Sequence, residues 1–324
     1  MTDPVQAHRA GGPAPLGLHL AQASAIVQGA AALAPVLHDP RAPWHRALSR
    51  EAARLDAPRP ECVLEVGMER LRETLRGIEM WQRHPWRRDL PEPPAVWSEG
   101  STRLLDFGQV DGAPQPMGPP VLVIPSLINR ADVLDLTRER SFLRALAQGG
   151  WRPLLLDWGA PGEDERGFAL DDYIATRLRP ALAAARVAGG RPCPVIGYCM
   201  GGTIAAGLAA RFPADVSALV TLGAPWDFSA VSEPSERIAA ALRQDGGLAA
   251  RAAIRQMGLA FGAVPAVLFQ TLFALLDFGL VFRKFRRFAA LDQSSAEAKL
   301  FVALEDWLED GVDLTPGVAE TVLV

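Results

Sequence analysis

Residues 197–203 read Gly-Tyr-Cys-Met-Gly-Gly-Thr, a cysteine set between glycines, just after a short apolar run and just before small helix-forming residues. That spacing suits a nucleophile. A side chain on a sharp strand-to-helix turn has strained backbone angles, and glycines on either side keep Cβ atoms out of the tight crossing. The helix that follows directs its free amides and positive dipole end at the sulfur, which favours thiolate, the reactive form. On this reading Cys199 attacks a carbonyl carbon and the Met200 amide is one oxyanion donor. The second donor comes from the loop after a strand at 121–124, where Ser126, Leu127 or Ile128 offers an amide. Leu127 is taken as that donor, with Ser126, Ile128 and Tyr198 as substrate contacts. The competing reading makes Cys199 a small packed hydrophobe in a glycine-rich turn, as free cysteines often are. A dinucleotide-binding turn is disfavoured, because the G-x-G-x-x-G order is absent.

The elements that must position this turn follow from periodicity. After Pro120, short apolar runs alternate with amphipathic stretches: strands at 121–124, 153–157, 195–197 and 216–222, helices at 141–148, 170–187 and 203–211. Alternation of this kind implies parallel strands joined by crossover helices, with functional residues at the carboxyl ends of the strands. Cys199 stands at one such end. Before Pro120 the chain is helical to about residue 88, best at 61–81, and two proline-rich breaks bracket a strand-like region at 102–110. Beyond Phe228 the alternation stops, and a strongly apolar helical stretch runs to about 290, then amphipathically over 299–309, as an insertion over the sheet would.

Composition bounds the alternatives. The 324 residues are 49% hydrophobic and 22% charged with net charge -4, a globular balance that gives nucleic-acid binding no support. Cys62, Cys193 and Cys199 are too few and too unevenly spaced for a disulfide framework or a metal site, so a reducing cytoplasm is the simplest compartment. The apolar stretch at 16–37 is interrupted by His19, Gln22, Gln28 and Pro35 and reads as a helical extension rather than a targeting segment. A second stretch, 258–282, is long enough for a bilayer but contains Pro265, Gln270 and Asp277 and precedes a basic run at 283–287. It reads as a buried or surface-associating helical pair.

At this point the motifs resemble those of the poly(3-hydroxyalkanoate) synthases. "GYCMGGT" is similar to that family's cysteine lipase-like box. "PSLINRADVLDL" resembles its Pro-Pro-Trp-Ile-Asn loop and following Ile-Leu-Asp-Leu segment, and "LDDYI" its Phe-Asp-Asp-Tyr helix start. "LFVALEDWLEDGVDLTPGVAETV" resembles the end of its cap region. The likeness covers roughly 120–324, and Ser126 and Leu127 depart from it where the family has Pro and Trp. The resemblance implies an α/β-hydrolase fold with a mostly parallel sheet, a helical cap insertion and a helical N-terminal extension. It divides the chain into an extension at 1–95, a hydrolase core at 96–229 and a cap region at 230–324. It implies an acyltransferase with a Cys-His-Asp triad that takes 3-hydroxyacyl groups from coenzyme A thioesters into polyester. The partners it implies are a 3-hydroxyacyl-CoA, a polyester granule surface and a second copy or partner synthase subunit, with no separate cofactor, in a cytoplasmic or granule-associated setting.

The base is the difficulty. The histidines are His8, His19, His38, His45 and His84, and none follows Cys199. In α/β hydrolases the chain order is nucleophile, acid, histidine, so by resemblance the two C-terminal strands that would carry the acid and the base are missing from these residues. Three readings stand: a synthase fragment, a non-catalytic paralogue that binds acyl groups or a partner synthase, or recruitment of an upstream histidine, of which His84 at a helix end is the candidate. Asp227, after the 216–222 strand, is the candidate acid, against an ordinary turn or cap role. Asp171 and Asp172 read as helix caps and Asp157 as a loop-orienting residue. A hydrolase of the same fold, a thioesterase or polyester depolymerase, is the alternative activity.

Overall fold

The computed structural model describes residues 9–39, 41, 50–52, 54, 56, 58–114, 117–226 and 233–324, side chains at 233–235 aside. In chain order the helices are α1 (Leu16–Leu33), α2 (Pro60–Arg83), α3 (Phe142–Gln148), α4 (170–189, passing through one wider turn at Ile174–Leu178), α5 (Met200–Arg211), α6 (Glu233–Arg243), α7 (Leu248–Phe261), α8 (Ala266–Leu276), α9 (Leu280–Ala289), α10 (Ala296–Glu309) and α11 (Pro316–Leu323). The strands are β1 (Ala95–Glu99), β2 (Thr102–Asp106), β3 (Pro120–Ile124), β4 (Arg152–Asp157), β5 (Cys193–Tyr198) and β6 (Val216–Leu222). They form two compact units, one of residues 1–86 and 273–302, the other of 87–272 and 303–324.

The larger unit holds one six-stranded sheet in the order β1-β2-β4-β3-β5-β6. Parallel pairing joins β4, β3, β5 and β6, while β2 runs antiparallel to both β1 and β4. The alternation after Pro120 therefore delivers the expected parallel sheet, because each crossover helix returns the chain to the same end. β3 is buried over all five residues, as a central parallel strand with both faces covered must be. On one face Leu122, Ile124 and Val195 pack with α4 and α5, with Ile254, Phe269 and Val318 of later helices and with Val264 between two of them. On the other, Leu105, Val123 and Leu155 pack with Phe107 and Leu143.

The strand-like region at 102–110 resolves differently from its sequence reading: β2 ends at Asp106 and Phe107–Gln109 form one tight helical turn. The cause is local. The Asp106 carboxylate is fully buried, accepts from Gly108 N at 2.8 Å and is held by Arg152 at 2.7 Å, which curls the chain off the sheet. Asp172 caps α4 as expected, accepting from Ala169 N at 2.8 Å.

In the smaller unit α1, α2 and α9 pack together, with Trp81, Phe285 and Phe288 fully buried. Its Arg9 is fully buried and donates to His84 O at 2.7 Å and Trp86 O at 3.0 Å, just past the end of α2, and to Trp81 O at 3.4 Å in its last turn. Arg9 thus satisfies acceptors that a helix end leaves open. By length and composition Leu16–Val36 could span a bilayer.

Candidate active site

Cys199 occupies the corner between β5 and α5, with φ 53° and ψ -132°. A non-glycine residue in this region is strained and persists only where its surroundings over-determine it. They do so here. The Cys199 amide donates to Leu222 O at 2.9 Å, binding the corner to the end of β6, and the Cys199 carbonyl accepts from Gly202 N at 2.8 Å, which starts α5. A Cβ on Gly197 would collide with the Gly202 backbone, and one on Gly202 would stand 2.6 Å from the Ala224 Cβ. A Cβ on Gly201 would strike the carbonyls of Ile124 and Pro125. The three glycines are therefore steric requirements of the crossing, as their spacing predicts. Cys199 is partly exposed, and as the first helical residue Met200 has an amide without an intrahelical acceptor.

The contact at Gly201 sets the helix start directly against the loop after β3. Ile124 pairs with Gly197 across β3 and β5, so Pro125 to Ile128 leave the sheet beside the elbow. The loop is held from several sides. Trp158 Nε1 donates to Pro125 O at 3.1 Å, the Ile128 amide donates to Ser126 Oγ at 3.2 Å, and Ile128 O accepts from Val312 N at 3.0 Å. Trp307 Nε1 donates to Arg130 O at 2.7 Å. Ile128's amide is thus already used, which separates it from Leu127 among the donors considered. Leu127, Ile128 and Met200 lie buried in one apolar cluster with Val264, Phe269 and Leu314. Two small cavities of about 10 Å³ border Leu127, each with room for roughly one water.

Tyr198 points to the opposite face of the sheet, where it packs with Ile196 against the Phe107 and Leu143 cluster. Burial, and then the charge of the neighbouring Cys199, push its phenol above the ordinary range. Asp157 orients a loop as expected: it accepts from Gly159 N at 3.1 Å and pairs with Arg103 at 2.6 Å. Asp227, the candidate acid, lies outside the described residues, as do His8 and His45. His84 ends α2, but it is buried rather than surface-exposed. Its Nδ1 accepts from Trp86 N at 3.1 Å and Nε2 meets Gln293 O at 3.0 Å, so both ring nitrogens already serve the smaller unit.

Sequence reasoning missed Trp158, Trp307, Val312 and Thr203, which clamp the two loops of the elbow. Thr203 Oγ1 donates to Pro225 O at 2.6 Å and so ties α5 to the turn after β6. Trp158 carried a usable signal, since it directly follows β4 at the carboxyl rim. Val312 and Trp307 carried none, because their partners lie more than 170 residues away.

A strand-elbow-helix on a sheet of this order defines the class. The alpha/beta hydrolase fold family model matches residues 119–311, and the chain belongs to that family. More particularly, the chain is similar to curated poly(3-hydroxyalkanoate) polymerase PhaC subunits, as its motifs suggested. Identity is 31% to that of Haloferax mediterranei, covering 68% of this chain and 43% of the relative. It is 29% to that of Allochromatium vinosum, covering 68% and 59%. The chain thus spans about half the length of the curated relatives it matches. Among solved structures, an alpha/beta hydrolase fold protein from Nakamurella multipartita is 19% identical, with TM-score 0.35 and 68% of each chain covered.

Proposed function

We propose that this chain carries the acyl-accepting half of a polyhydroxyalkanoate synthase reaction, with Cys199 as the nucleophile. The observation that carries the reading is the strained, partly exposed Cys199 at the amino end of α5, beside an amide-bearing loop at the end of β3. The Cys199 thiolate attacks the carbonyl carbon of a 3-hydroxyacyl-CoA thioester, and the Met200 and Leu127 amides hold the oxyanion that forms. Collapse breaks the carbon–sulfur bond to coenzyme A, whose thiolate leaves and takes up a proton, and the acyl group stays on the cysteine sulfur. Thioester exchange is close to isoenergetic, so this half-reaction asks little of the protein beyond geometry and thiolate. Ser126 and Ile128 shape the surroundings of that carbonyl, whereas Tyr198, read from the sequence as a substrate contact, packs on the opposite face of the sheet.

Completing the cycle needs a base to take the proton of an incoming hydroxyl. The unit that holds Cys199 contains no histidine, since none follows His84 in the sequence. An acyl group that stays on Cys199 is the outcome this reading expects of these 324 residues. The test is intact-protein mass measurement after incubation with 3-hydroxybutyryl-CoA, beside Cys199→Ala. The expected result is one added 3-hydroxybutyryl group on the unsubstituted protein alone. Labelling of neither protein refutes the nucleophile. Rapid release of free 3-hydroxybutyrate, with no polymer, replaces the synthase reading with a thioesterase.

A further inference from the structure

We propose that the smaller unit carries a binding site for a single-chain carboxylate amphiphile, a fatty-acid anion whose chain lies between α1 and α2 and whose head sits on Arg70. The inference stands independently of any role for Cys199. Where α1 and α2 pack together they leave a cavity of about 290 Å³ that opens to solvent. Ile26, Val27 and Ala30 of α1 line one wall and Val63 and Val66 of α2 the other, with Phe282 of α9 packed against Val27. Voids larger than a water are few in a folded core, and an ordered water needs about two to four polar partners. The lining side chains offer only the Cys62 thiol and the Arg70 guanidinium, so the space suits hydrocarbon better than water. An apolar cavity of about 150 Å³ takes up benzene, so at the same density about 290 Å³ holds roughly ten to twelve carbons.

The charge at the rim selects the head group. Cys62, Val63, Val66 and Arg70 share one face of α2 at positions i, i+1, i+4 and i+8, so the guanidinium ends the apolar row. The carboxylates nearest it on the helix are committed elsewhere. Glu69 pairs with Arg72 at 2.8 Å and Glu73 with Arg286 at 3.7 Å. Among the described residues the exposed Arg70 side chain has no ion-pair or hydrogen-bond partner. A guanidinium holds a carboxylate through two parallel N–H···O bonds, a fit that a neutral head group does not offer. An apolar seam ended by one uncommitted cation therefore complements a hydrocarbon chain ended by one carboxylate.

Cys62 is a reporter already in place. It is partly exposed and lines the same cavity, about 12 Å from Arg70 along the helix axis at about 1.5 Å per residue, so a chain anchored at Arg70 covers it. The test is the rate of Cys62 alkylation by iodoacetamide, followed by peptide mass mapping in a Cys199→Ala variant of the 324-residue protein, where Cys193 is buried. Decanoate below its micelle concentration should slow the reaction at least fivefold, whereas butyrate should not, and 1-decanol should need at least tenfold more for the same protection. Arg70→Gln should raise the decanoate concentration for half-protection at least tenfold and leave the rate without ligand unchanged. Calorimetric titration with decanoate should show binding that Val63→Phe, which fills the cavity, removes while circular dichroism shows the fold retained. No protection by decanoate overturns the proposal. Equal protection by 1-decanol, or protection unchanged in Arg70→Gln, overturns the carboxylate site, and so does protection by decanoyl-CoA without protection by decanoate.

Discussion

Replacing Gly201 with alanine separates the packing of the elbow from the helix preference of the residue. Gly201 and Gly207 lie on the same helix, α5, so each substitution to alanine gains about 0.5–1 kcal/mol of helix preference. Their surroundings differ. At Gly207 the new Cβ meets only the Ile174 Cδ1 at 3.3 Å, the far end of a side chain that can yield. At Gly201 it meets the carbonyls of Ile124 and Pro125 and stands 2.6 Å from the Pro125 carbonyl carbon, all backbone. Overpacking costs about 1–3 kcal/mol where side chains can adjust, and backbone cannot adjust without moving the loop. Gly207→Ala is therefore expected to be neutral to about 1 kcal/mol stabilising, and Gly201→Ala to destabilise by about 2 kcal/mol or more. Urea unfolding followed by tryptophan fluorescence reads both. Because the only relief at Gly201 is to push Pro125 to Ile128 away from α5, acyl labelling of Cys199 should fall with it, while Gly207→Ala labels normally. If Gly201→Ala keeps both the unfolding midpoint and the labelling rate, the steric contact does not hold the loop, and the oxyanion geometry argued from it is wrong.

Other substitutions probe the supports of each unit. Glu165 is 1% exposed; desolvation opposes its charge, but hydrogen bonds from Ser101 and Arg177 outweigh it and hold its carboxyl below the ordinary range. Arg177→Ala strands that charge and should cost about 3–5 kcal/mol, whereas replacing both partners with apolar residues should cost less, as a double-mutant cycle would measure. With its folded value depressed, Glu165 contributes stability that is present above the ordinary carboxylate range and lost as pH falls through the folded value. Acid titration of Glu165→Gln should therefore be flatter there. Burial pushes His19 below its usual 6.5, so the unfolded chain takes up a proton first. Stability of the smaller unit should fall as pH drops below 6.5, by at most about 1.4 kcal/mol per pH unit, and His19→Gln should remove that slope. Arg9→Lys should fail to rescue Arg9→Ala in thermal unfolding, because one ammonium cannot match the planar fork that reaches the carbonyls of His84 and Trp86.

The corner itself was legible because its cause is short-range. Gly197, Gly201 and Gly202 answer contacts of β5 and α5 with each other and with the adjacent strand, and their spacing survives in any fold that makes such a crossing. The parallel sheet was legible for a similar reason, since alternating apolar runs and amphipathic helices leave few ways to cover both faces. Less was visible wherever partners lie far apart in the chain. Nothing near Ile128 announces Val312, and nothing near Trp307 announces Arg130. His84, followed by Pro85 at a helix end, reads from the sequence as a surface histidine or helix terminator. In the fold it is buried against Gln293, a residue 209 positions away.

By itself, then, the sequence determined a cysteine on a glycine-framed turn, the sheet that presents it and the absence of a later histidine, all properties of local spacing or of composition. Only the tertiary structure decided which amide of the loop was already in use and how tightly residues 262–272 and 303–324 lie over it. The physical reason is that burial is a property of neighbours. β3 and β6 are similar apolar runs in the sequence, yet among the described residues β3 has a strand on each side and is fully buried, whereas β6 pairs with β5 alone. No pattern within seven residues can record that difference.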